Sequence, residues 1–258
     1  MKIFICTDLE GISGIRDISQ IMDTKAENYH FSLERLMLDT NAAIEGCFEG
    51  GASEVYVCDG HGGGNNFIDE MLDKRAIKIN CNLPPDLLKQ INAFMEVGAH
   101  AMPGTINGFL DHVQSSVSWH NYYVNGKKCG ELAQLGIYAG LNNIPFVMVS
   151  GDEAACVEAK QFFGDIACAA VKYGIGRNKA RLVNLDEALI RIKNASKQGV
   201  GLIGNIKPYK PLLPLEIKVE FNRSDYCDAA ENKNNERLDA RTLRKIVPKL
   251  NSYMDLMI

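Results

Sequence analysis

The stretch Lys2-Ile3-Phe4-Ile5-Cys6-Thr7-Asp8-Leu9-Glu10-Gly11 decides how this sequence folds. Ile3 to Cys6 form a continuous apolar run, which is typical of a strand that is covered on both faces in a parallel sheet. Asp8 and Glu10 follow two residues apart, so in extended chain their carboxylates project to the same side. Two adjacent anions need a shared proton or a bound cation to offset their repulsion. The stretch therefore predicts a buried first strand that ends in a charged site.

Length and composition indicate a globular protein with one large α/β domain. The chain has 258 residues, of which 46% are hydrophobic and 23% are charged, so it can bury a sizeable core. A formal net charge of -4 without a run of Lys or Arg argues against nucleic acid or a membrane surface as a partner. No apolar stretch reaches the roughly 18 residues of a membrane span, and the first apolar run is too short for a signal-peptide core. We therefore expect a cytoplasmic protein.

The eight cysteines show no pattern of a disulfide framework or a thiolate metal site. They are scattered along the chain and include no C-x-x-C pair. This distribution suits buried, reduced thiols in a cytosolic protein. Any metal ion would then be held by histidines and carboxylates.

Strand-like and helix-like segments alternate through the first part of the chain. The predicted strands after the first are Glu54–Asp59, Ala93–Ala99 and Pro145–Asp152, and the longer predicted helices are Lys25–Phe48, Gly130–Leu141 and Glu153–Phe163. This alternation predicts an α/β fold with a doubly wound, Rossmann-like parallel sheet. A short helix over Phe67–Leu72 and a tight hairpin at Asn125-Gly126 are also predicted.

The last third of the sequence changes character after a predicted helix from Leu185 to Lys197. Leu215–Phe221 alternates strictly between apolar and polar residues, which predicts a strand of an antiparallel sheet. A helical stretch is predicted around Leu243–Val247. We therefore divide the chain into an α/β metal-binding catalytic domain, residues 1–198, and a small α+β appendage, residues 199–258.

Potential metal ligands follow three of the predicted parallel strands. Asp8 and Glu10 come after the first strand, His61 after the second and His100 after the third. They are expected to converge, because the carboxyl ends of the strands in an open α/β sheet line one crevice. Glu131, at the start of a helix, is a further candidate. Imidazole and carboxylate ligands suit Zn²⁺, Mn²⁺ or Co²⁺, and five ligands favour two ions bridged by a carboxylate over one.

Each candidate also has a simpler interpretation. A single acid at a strand end is more often a helix cap, Glu131 is explained equally well as a favourable charge in the first helical turn, and His61 as part of a surface turn. His61-Gly62-Gly63-Gly64 matches the H-G-G-G oxyanion loop of some esterases. That interpretation fails, because the sequence lacks the G-x-S-x-G nucleophile elbow that it requires.

Five separated motifs support a more specific hypothesis. They are Thr7-Asp8-Leu9-Glu10-Gly11-Ile12-Ser13-Gly14, Asp59-Gly60-His61, Gly98-Ala99-His100-Ala101, the segment from Pro103 to Asp111-His112, and the segment from Asn125-Gly126 to Gly130-Glu131-Leu132. In order and spacing these motifs resemble the D-aminopeptidase family of zinc peptidases, the DppA-like family M55. The resemblance covers most of residues 1 to 160 and is diffuse beyond. Cys6 stands where the family pattern S-x-D-x-E-G has a serine that is not a ligand.

The resemblance implies a zinc-dependent aminopeptidase that hydrolyses short peptides with an N-terminal D-amino acid. It implies two Zn²⁺ ions per chain, with Mn²⁺ or Co²⁺ as alternatives. The implied ligands are Asp8 as the bridge, Glu10 and His61 on one ion, and His100 and Glu131 on the other. It also implies a homo-oligomer in the form of a decameric ring whose active sites face an internal channel.

The resemblance further implies that His112 is the catalytic histidine, described in the family as a nucleophile. We prefer a proton shuttle or a carbonyl polariser, because a histidyl-acyl intermediate formed from an amide is uncommon. His120 is the alternative candidate, and either residue is otherwise a surface histidine. The same ligands would also serve an amidohydrolase or a phosphatase. A different class, a catalytically silent oligomeric binding protein on this fold, is the remaining alternative.

Overall fold

The computed structural model describes residues 1–258 and contains two sheets, flanked by seven α-helices. The strands are β1 (Lys2–Thr7), β2 (Glu54–Asp59), β3 (Ala76–Lys78), β4 (Ala93–Ala99), β5 (Trp119–Val124), β6 (Lys127–Cys129), β7 (Phe146–Asp152), β8 (Ala167–Gly176), β9 (Lys179–Leu182), β10 (Leu215–Phe221), β11 (Glu236–Asp239) and β12 (Thr242–Val247). The helices are α1 (Ser19–Met22), α2 (Glu27–Glu49), α3 (Pro85–Leu88), α4 (Glu131–Leu141), α5 (Glu153–Phe163), α6 (Leu185–Gly201) and α7 (Ser224–Ala230). Two short 3₁₀ helices lie at His61–Gly63 and Tyr253–Leu256.

The larger sheet is the doubly wound sheet that the sequence predicts. Its strand order is β3-β2-β1-β4-β7-β8-β9, and only β9 runs antiparallel to its neighbour. Ile3 and Ile5 belong to the core beneath α2 and α6, whereas Phe4 belongs to the core on the opposite face beneath α4 and α5. All three side chains are fully buried. The continuous apolar run of β1 therefore reflects a central strand that is covered on both faces.

The smaller sheet is antiparallel and has the order β11-β12-β10-β5-β6. It combines the three strands of the last third with the hairpin β5–β6, which turns at Asn125 and Gly126 as predicted. The proposed boundary between residues 198 and 199 lies within α6, and the sheet takes strands from both sides of it. Phe221 and Leu243 of this sheet share one hydrophobic core with Phe4. None of the helices combines the length and apolar character that crossing a bilayer requires.

Three expectations about local structure and cysteine chemistry were wrong. Residues 242–247 form strand β12, because pairing with β10 outweighs the weak local helical pattern. Phe67–Leu72 is not helical, since six residues are too few to form a helix without tertiary support. Cys58 and Cys81 form a disulfide, although the cysteines were all expected to be reduced thiols. The end of β2 and the segment after β3 bring these two residues together, which their separation of 23 residues does not reveal.

Three strands of the larger sheet, β3, β8 and β9, were not predicted. The first half of β8 reads Ala-Cys-Ala-Ala, and alanine has a low preference for strands. These residues form a strand because β8 pairs with the buried strand β7. Helix α5 ends at Phe163 as predicted, and Gly164 with a φ of 80° turns the chain from this helix toward β8.

The chain leaves β1 in direct backbone contact with the end of β4. The Asp8 N–H donates to the Val97 carbonyl at 2.8 Å, and the Gly11 N–H donates to the Gly98 carbonyl at 2.8 Å. Gly98 has a φ of +88°, and a Cβ there would lie 2.0 Å from the carbonyl oxygen of Asp8. Only glycine fits this position, so the placement of the residues after β1 depends on it.

We expect Gly98→Ala to destabilise the fold by roughly 3 kcal/mol or more, because it adds a backbone clash to an unfavourable φ. Gly126→Ala is the matched control, because Gly126 has a φ of +77° and a Cβ added there would have no atom within 4 Å. The control should lose only about 1 to 2 kcal/mol. Urea unfolding monitored by circular dichroism measures both values, and equal losses would show that the contact with Asp8 is unimportant.

Candidate metal centre

The structure brings all five proposed metal ligands into one cluster. His61 Nδ1 lies 3.0 Å from Asp8 Oδ1 and 3.0 Å from Glu10 Oε2. His100 Nε2 lies 3.3 Å from Asp8 Oδ2 and 3.4 Å from Glu131 Oε1. The two oxygens of Asp8 therefore face two different groups of ligand atoms.

Different elements hold these side chains in place. Asp8 and Glu10 follow β1, His100 follows β4, and Glu131 is the first residue of α4. The loop that carries His61 is fixed by Asp59, whose carboxylate accepts hydrogen bonds from the backbone N–H and the side-chain amide of Asn66 at 2.5 and 3.1 Å. The same amide also donates to the His61 carbonyl at 2.8 Å. Asp59 thus shapes the loop, and it is not one of the converging ligands.

Burial and mutual hydrogen bonding shift the pKa values of the cluster in opposite directions. Burial lowers the pKa of His61, but the hydrogen bonds to Asp8 and Glu10 outweigh it and raise this pKa to about 11. Burial raises the pKa of Asp8, yet the bond to His61 and the charges of both histidines bring it well below its usual range. The charge of His100 acts likewise on Glu131, whose pKa is also lowered. The protons on the histidines therefore provide the positive charge that the carboxylates need in the absence of a cation.

The cluster fits divalent metal ions better than it fits protons alone. His100 Nε2 is buried and has no hydrogen-bond partner, although two carboxylate oxygens face it. Its Nδ1 lies 3.1 Å from the Ala101 carbonyl, so Nδ1–H donates there, and a metal ion that displaced the second proton would meet Nε2 on the side of the carboxylates. Ligand atoms bound to one tetrahedral zinc at about 2.0 Å are roughly 3.3 Å apart. The separations of 3.0 to 3.4 Å match this spacing.

His112 lies beside the cluster in the loop between β4 and β5. Its ring stacks on His100 with 4.1 Å between the ring centroids, and its Nε2 lies 3.8 Å from Glu131 Oε1. The Nδ1 lies 2.7 Å from the Leu110 carbonyl, so Nδ1–H donates there and leaves a lone pair on Nε2. Leu110 and Gln114 on either side have φ values of +52° and +56°, which is typical of strained backbone near functional sites.

His120 is not part of this arrangement. It is exposed on β5 and forms no hydrogen bond or ion pair with the five proposed ligands. Gln114 has a role that the sequence did not suggest, because its backbone N–H donates to Glu131 Oε1 at 2.7 Å and orients that carboxylate.

Two buried charged residues next to the cluster were also missed. Lys172 of β8 is fully buried and donates to the Glu10 carbonyl at 2.6 Å, and burial lowers its pKa to about 7. Glu96 of β4 lines the same cavity of about 730 Å³ as Asp8 and Glu131. A glutamate within an otherwise apolar strand could have been recognised in the sequence, because charged residues are almost never fully buried without a partner.

Comparisons with known proteins agree with this geometry. The family model of peptidase family M55, described as D-aminopeptidase, matches residues 1–258. A D-aminopeptidase of Bacillus subtilis (strain 168) is 29% identical over 231 residues, which cover 86% of this chain and 81% of that protein. A solved structure, the Zn-dependent D-aminopeptidase DppA from Bacillus subtilis, described as a self-compartmentalizing protease, superposes with a TM-score of 0.92. It is 24% identical, and the match covers 100% of this chain and 95% of that one, which establishes the shared fold.

Proposed function

Because the chain belongs to the D-aminopeptidase family M55, we propose that it removes N-terminal D-amino acids from short peptides with the aid of two zinc ions. Membership of the family makes it a metal-dependent peptidase, and the number and identity of its ions belong to the proposal. The proposal also includes a catalytic role for His112, assembly of the protein into a homo-oligomeric decameric ring and a cytoplasmic location.

The observation that best supports this proposal is the position of the Asp8 carboxylate, whose two oxygens face two different groups of ligands. Oδ1 faces His61 and Glu10, whereas Oδ2 faces His100, which in turn faces Glu131. A carboxylate in this position would contribute a ligand to each of two cations, with His61 and Glu10 completing one ion site and His100 and Glu131 the other. The donor set of imidazole and carboxylate without thiolate suits zinc.

Two zinc ions in this cluster would polarise the scissile carbonyl and lower the pKa of a water molecule. The protein residues then hold the reactants and move protons. Asp8 fixes the spacing of the two ion sites, and the Gln114 N–H keeps Glu131 in its orientation. His112 presents the unprotonated Nε2 toward the cluster. It can therefore accept a proton from the attacking water and pass it to the leaving amine.

The cavity next to the cluster suits a short peptide. Its volume of about 730 Å³ lies in the range that is usual for small-molecule sites. The cavity walls come from the ends of β1, β2 and β4, from α4 and from the C-terminal 3₁₀ helix. A ring of subunits with enclosed sites would restrict the substrates further to short, unfolded chains.

We expect the zinc-reconstituted protein to release D-alanine from D-Ala-D-Ala at least about tenfold faster than L-alanine from L-Ala-L-Ala. Treatment with a chelator should abolish the activity, and added zinc should restore it, because the metal ions polarise the carbonyl. An amino-acid release assay, run beside a generic phosphomonoester, measures these rates. Release of phosphate without amino acid would show that the enzyme is a phosphatase. A protein that binds zinc but cleaves none of the three would be a binding protein.

Replacing Asp8 should remove more metal than replacing Glu10. The wild-type protein should bind about two zinc ions per chain, Glu10→Ala about one and Asp8→Ala almost none, because only Asp8 contributes to both ion sites. Elemental analysis after removal of free metal gives these ratios. Equal zinc content in the two variants would contradict the bridging role of Asp8.

Replacing His112 with alanine should lower kcat by about 10²- to 10⁴-fold, the usual contribution of a general acid or base, while the zinc content stays unchanged. His120→Ala is the matched control and should retain wild-type kcat, since His120 is exposed on β5. Steady-state kinetics and elemental analysis measure both properties. Full activity of His112→Ala would remove this residue from the mechanism, and loss of zinc would identify it as a ligand.

A further inference from the structure

The Glu96 side chain has no partner within the protein. It is only 5% exposed, and its carboxylate forms no hydrogen bond or ion pair. Its Oε2 is completely buried. Buried carboxylates in folded proteins are normally hydrogen-bonded or paired with a cation, because an unpartnered one is costly. The protein therefore leaves the Glu96 carboxyl group free to bind a partner from outside the chain.

The position of Glu96 in the sheet sets its distance from the metal cluster. In the parallel pairing of β1 and β4, Glu96 lies opposite Cys6, two residues before Asp8. At about 3.3 Å per residue, its Cα lies roughly 7 Å below that of Asp8 along the strands. Phe4 and Phe94 pack together on the same face with 4.6 Å between ring centroids, so Glu96 and Asp8, two and four residues further along their strands, also lie on that side of the sheet.

The cavity that connects Glu96 with the cluster is apolar along its walls and acidic at both ends. Phe4, Ile79 and Leu135 contribute apolar surface. The only ammonium group in the lining belongs to Lys78, and its Nζ is held by Asp69 at 2.6 Å. The cavity lining therefore offers Glu96 no free ammonium or guanidinium group, and the positive charge of His100 acts on Glu96 only from among the proposed metal ligands.

The depth of Glu96 indicates which part of a peptide reaches it. When the scissile carbonyl lies at the cluster, the α-amino group stays within about 3 Å of that carbonyl carbon, because two bonds separate them. It therefore remains near the metal ligands. A four-carbon side chain that ends in an ammonium group spans about 6 Å and reaches the level of Glu96. Its methylene groups would lie against apolar walls while its charged end is bound, as is usual for lysine side chains.

We propose that Glu96 forms the base of a subsite that binds the basic side chain of the N-terminal residue of the substrate. The preferred substrates are then peptides that begin with D-lysine or a shorter D-amino acid with an amino group on its side chain. This inference rests on the proposed function and specifies its substrate class. Glu96 determines specificity and does not take part in the bond cleavage.

The electrostatics of the cavity are consistent with such a subsite. Burial raises the pKa of Glu96 well above its usual range, and the negative charge of Asp8 raises it further. Burial without a paired cation therefore disfavours the ionised form of this carboxyl group. An ammonium group beside it favours the ionised form, and the resulting charge-assisted hydrogen bond is stronger at this buried side chain than at the surface.

A pair of dipeptides that differ only in one charged group tests the subsite. D-Lys-D-Ala and D-norleucyl-D-Ala have side chains of nearly equal length, and only the first ends in an ammonium group. We expect the zinc-reconstituted wild-type enzyme to prefer D-Lys-D-Ala by about 10- to 100-fold in kcat/KM, the usual value of one hydrogen bond between charged groups. In Glu96→Gln the ratio should fall to within about threefold of one, and in Glu96→Leu it should invert in favour of norleucine.

Glu158→Gln is the matched control for these variants. Glu158 is also a buried glutamate with one unpartnered oxygen, but it does not line the cavity. This control should keep the wild-type ratio of kcat/KM values for the two dipeptides. A wild-type enzyme that does not distinguish the two dipeptides, or a Glu96→Gln variant that keeps the full preference, would overturn the proposal. Circular dichroism and zinc content show that each variant is folded.

A binding measurement separates this inference from the proposed function. If the zinc-loaded protein cleaves neither dipeptide, the proposed function has failed, and calorimetry with free D-lysine and free D-norleucine still tests the subsite. Tighter binding of D-lysine to the wild-type protein, together with equal binding of both amino acids to Glu96→Gln, would support the subsite. Equal affinities in the wild-type protein would overturn it.

Discussion

Electrostatic repulsion among buried carboxylates is the constraint on which the organisation of this protein depends. Asp8, Glu10 and Glu131 converge on the same two histidines, and their side chains are only 7 to 26% exposed. In such surroundings unpaired charges are very costly, so the arrangement persists only when positive charge compensates it. His61 and His100 provide this compensation when protonated, and divalent ions provide it more completely. These carboxylates would destabilise an ordinary core, but in this cluster they provide the affinity for metal ions.

The doubly wound sheet makes this convergence possible at low cost in backbone conformation. Three neighbouring strands, β2, β1 and β4, end at the same edge, and each delivers at least one ligand there. The ligands need no long loops, because the crevice at the carboxyl edge of the strands already brings them together. The close backbone contact between Gly98 and Asp8 keeps the residues that follow β1 next to the end of β4. The His61 loop, by contrast, owes its shape to the hydrogen bonds between Asp59 and Asn66.

The parts of the structure that local sequence determines were predicted, and those set by distant contacts were not. The apolar run of β1, the amphipathic helix α2 and the Asn-Gly turn each have a pattern within a few residues, and each was identified. Strand β12 and the Cys58–Cys81 pair depend on neighbours that are far away in the sequence, so no local pattern indicates them. Four of the five proposed ligands were inferred from their positions at strand ends, and Glu131 from its position at the start of a helix. The charge of Glu96 within the apolar strand β4 is visible in the sequence, but the absence of a partner for it is revealed only by the folded structure.

The cavity wall formed by Tyr253 and Met254 has a consequence for how such a protein can diversify. All five proposed ligands lie between residues 8 and 131, whereas this wall comes from a 3₁₀ helix more than 100 residues further along the chain. The residues that would bind metal and those that shape part of the substrate cavity are thus encoded in separate stretches. Substitutions near the C-terminal end can remodel the cavity while the metal-ligand cluster remains intact. Selection can therefore alter the part of the substrate preference that this wall determines without changing the metal ligands.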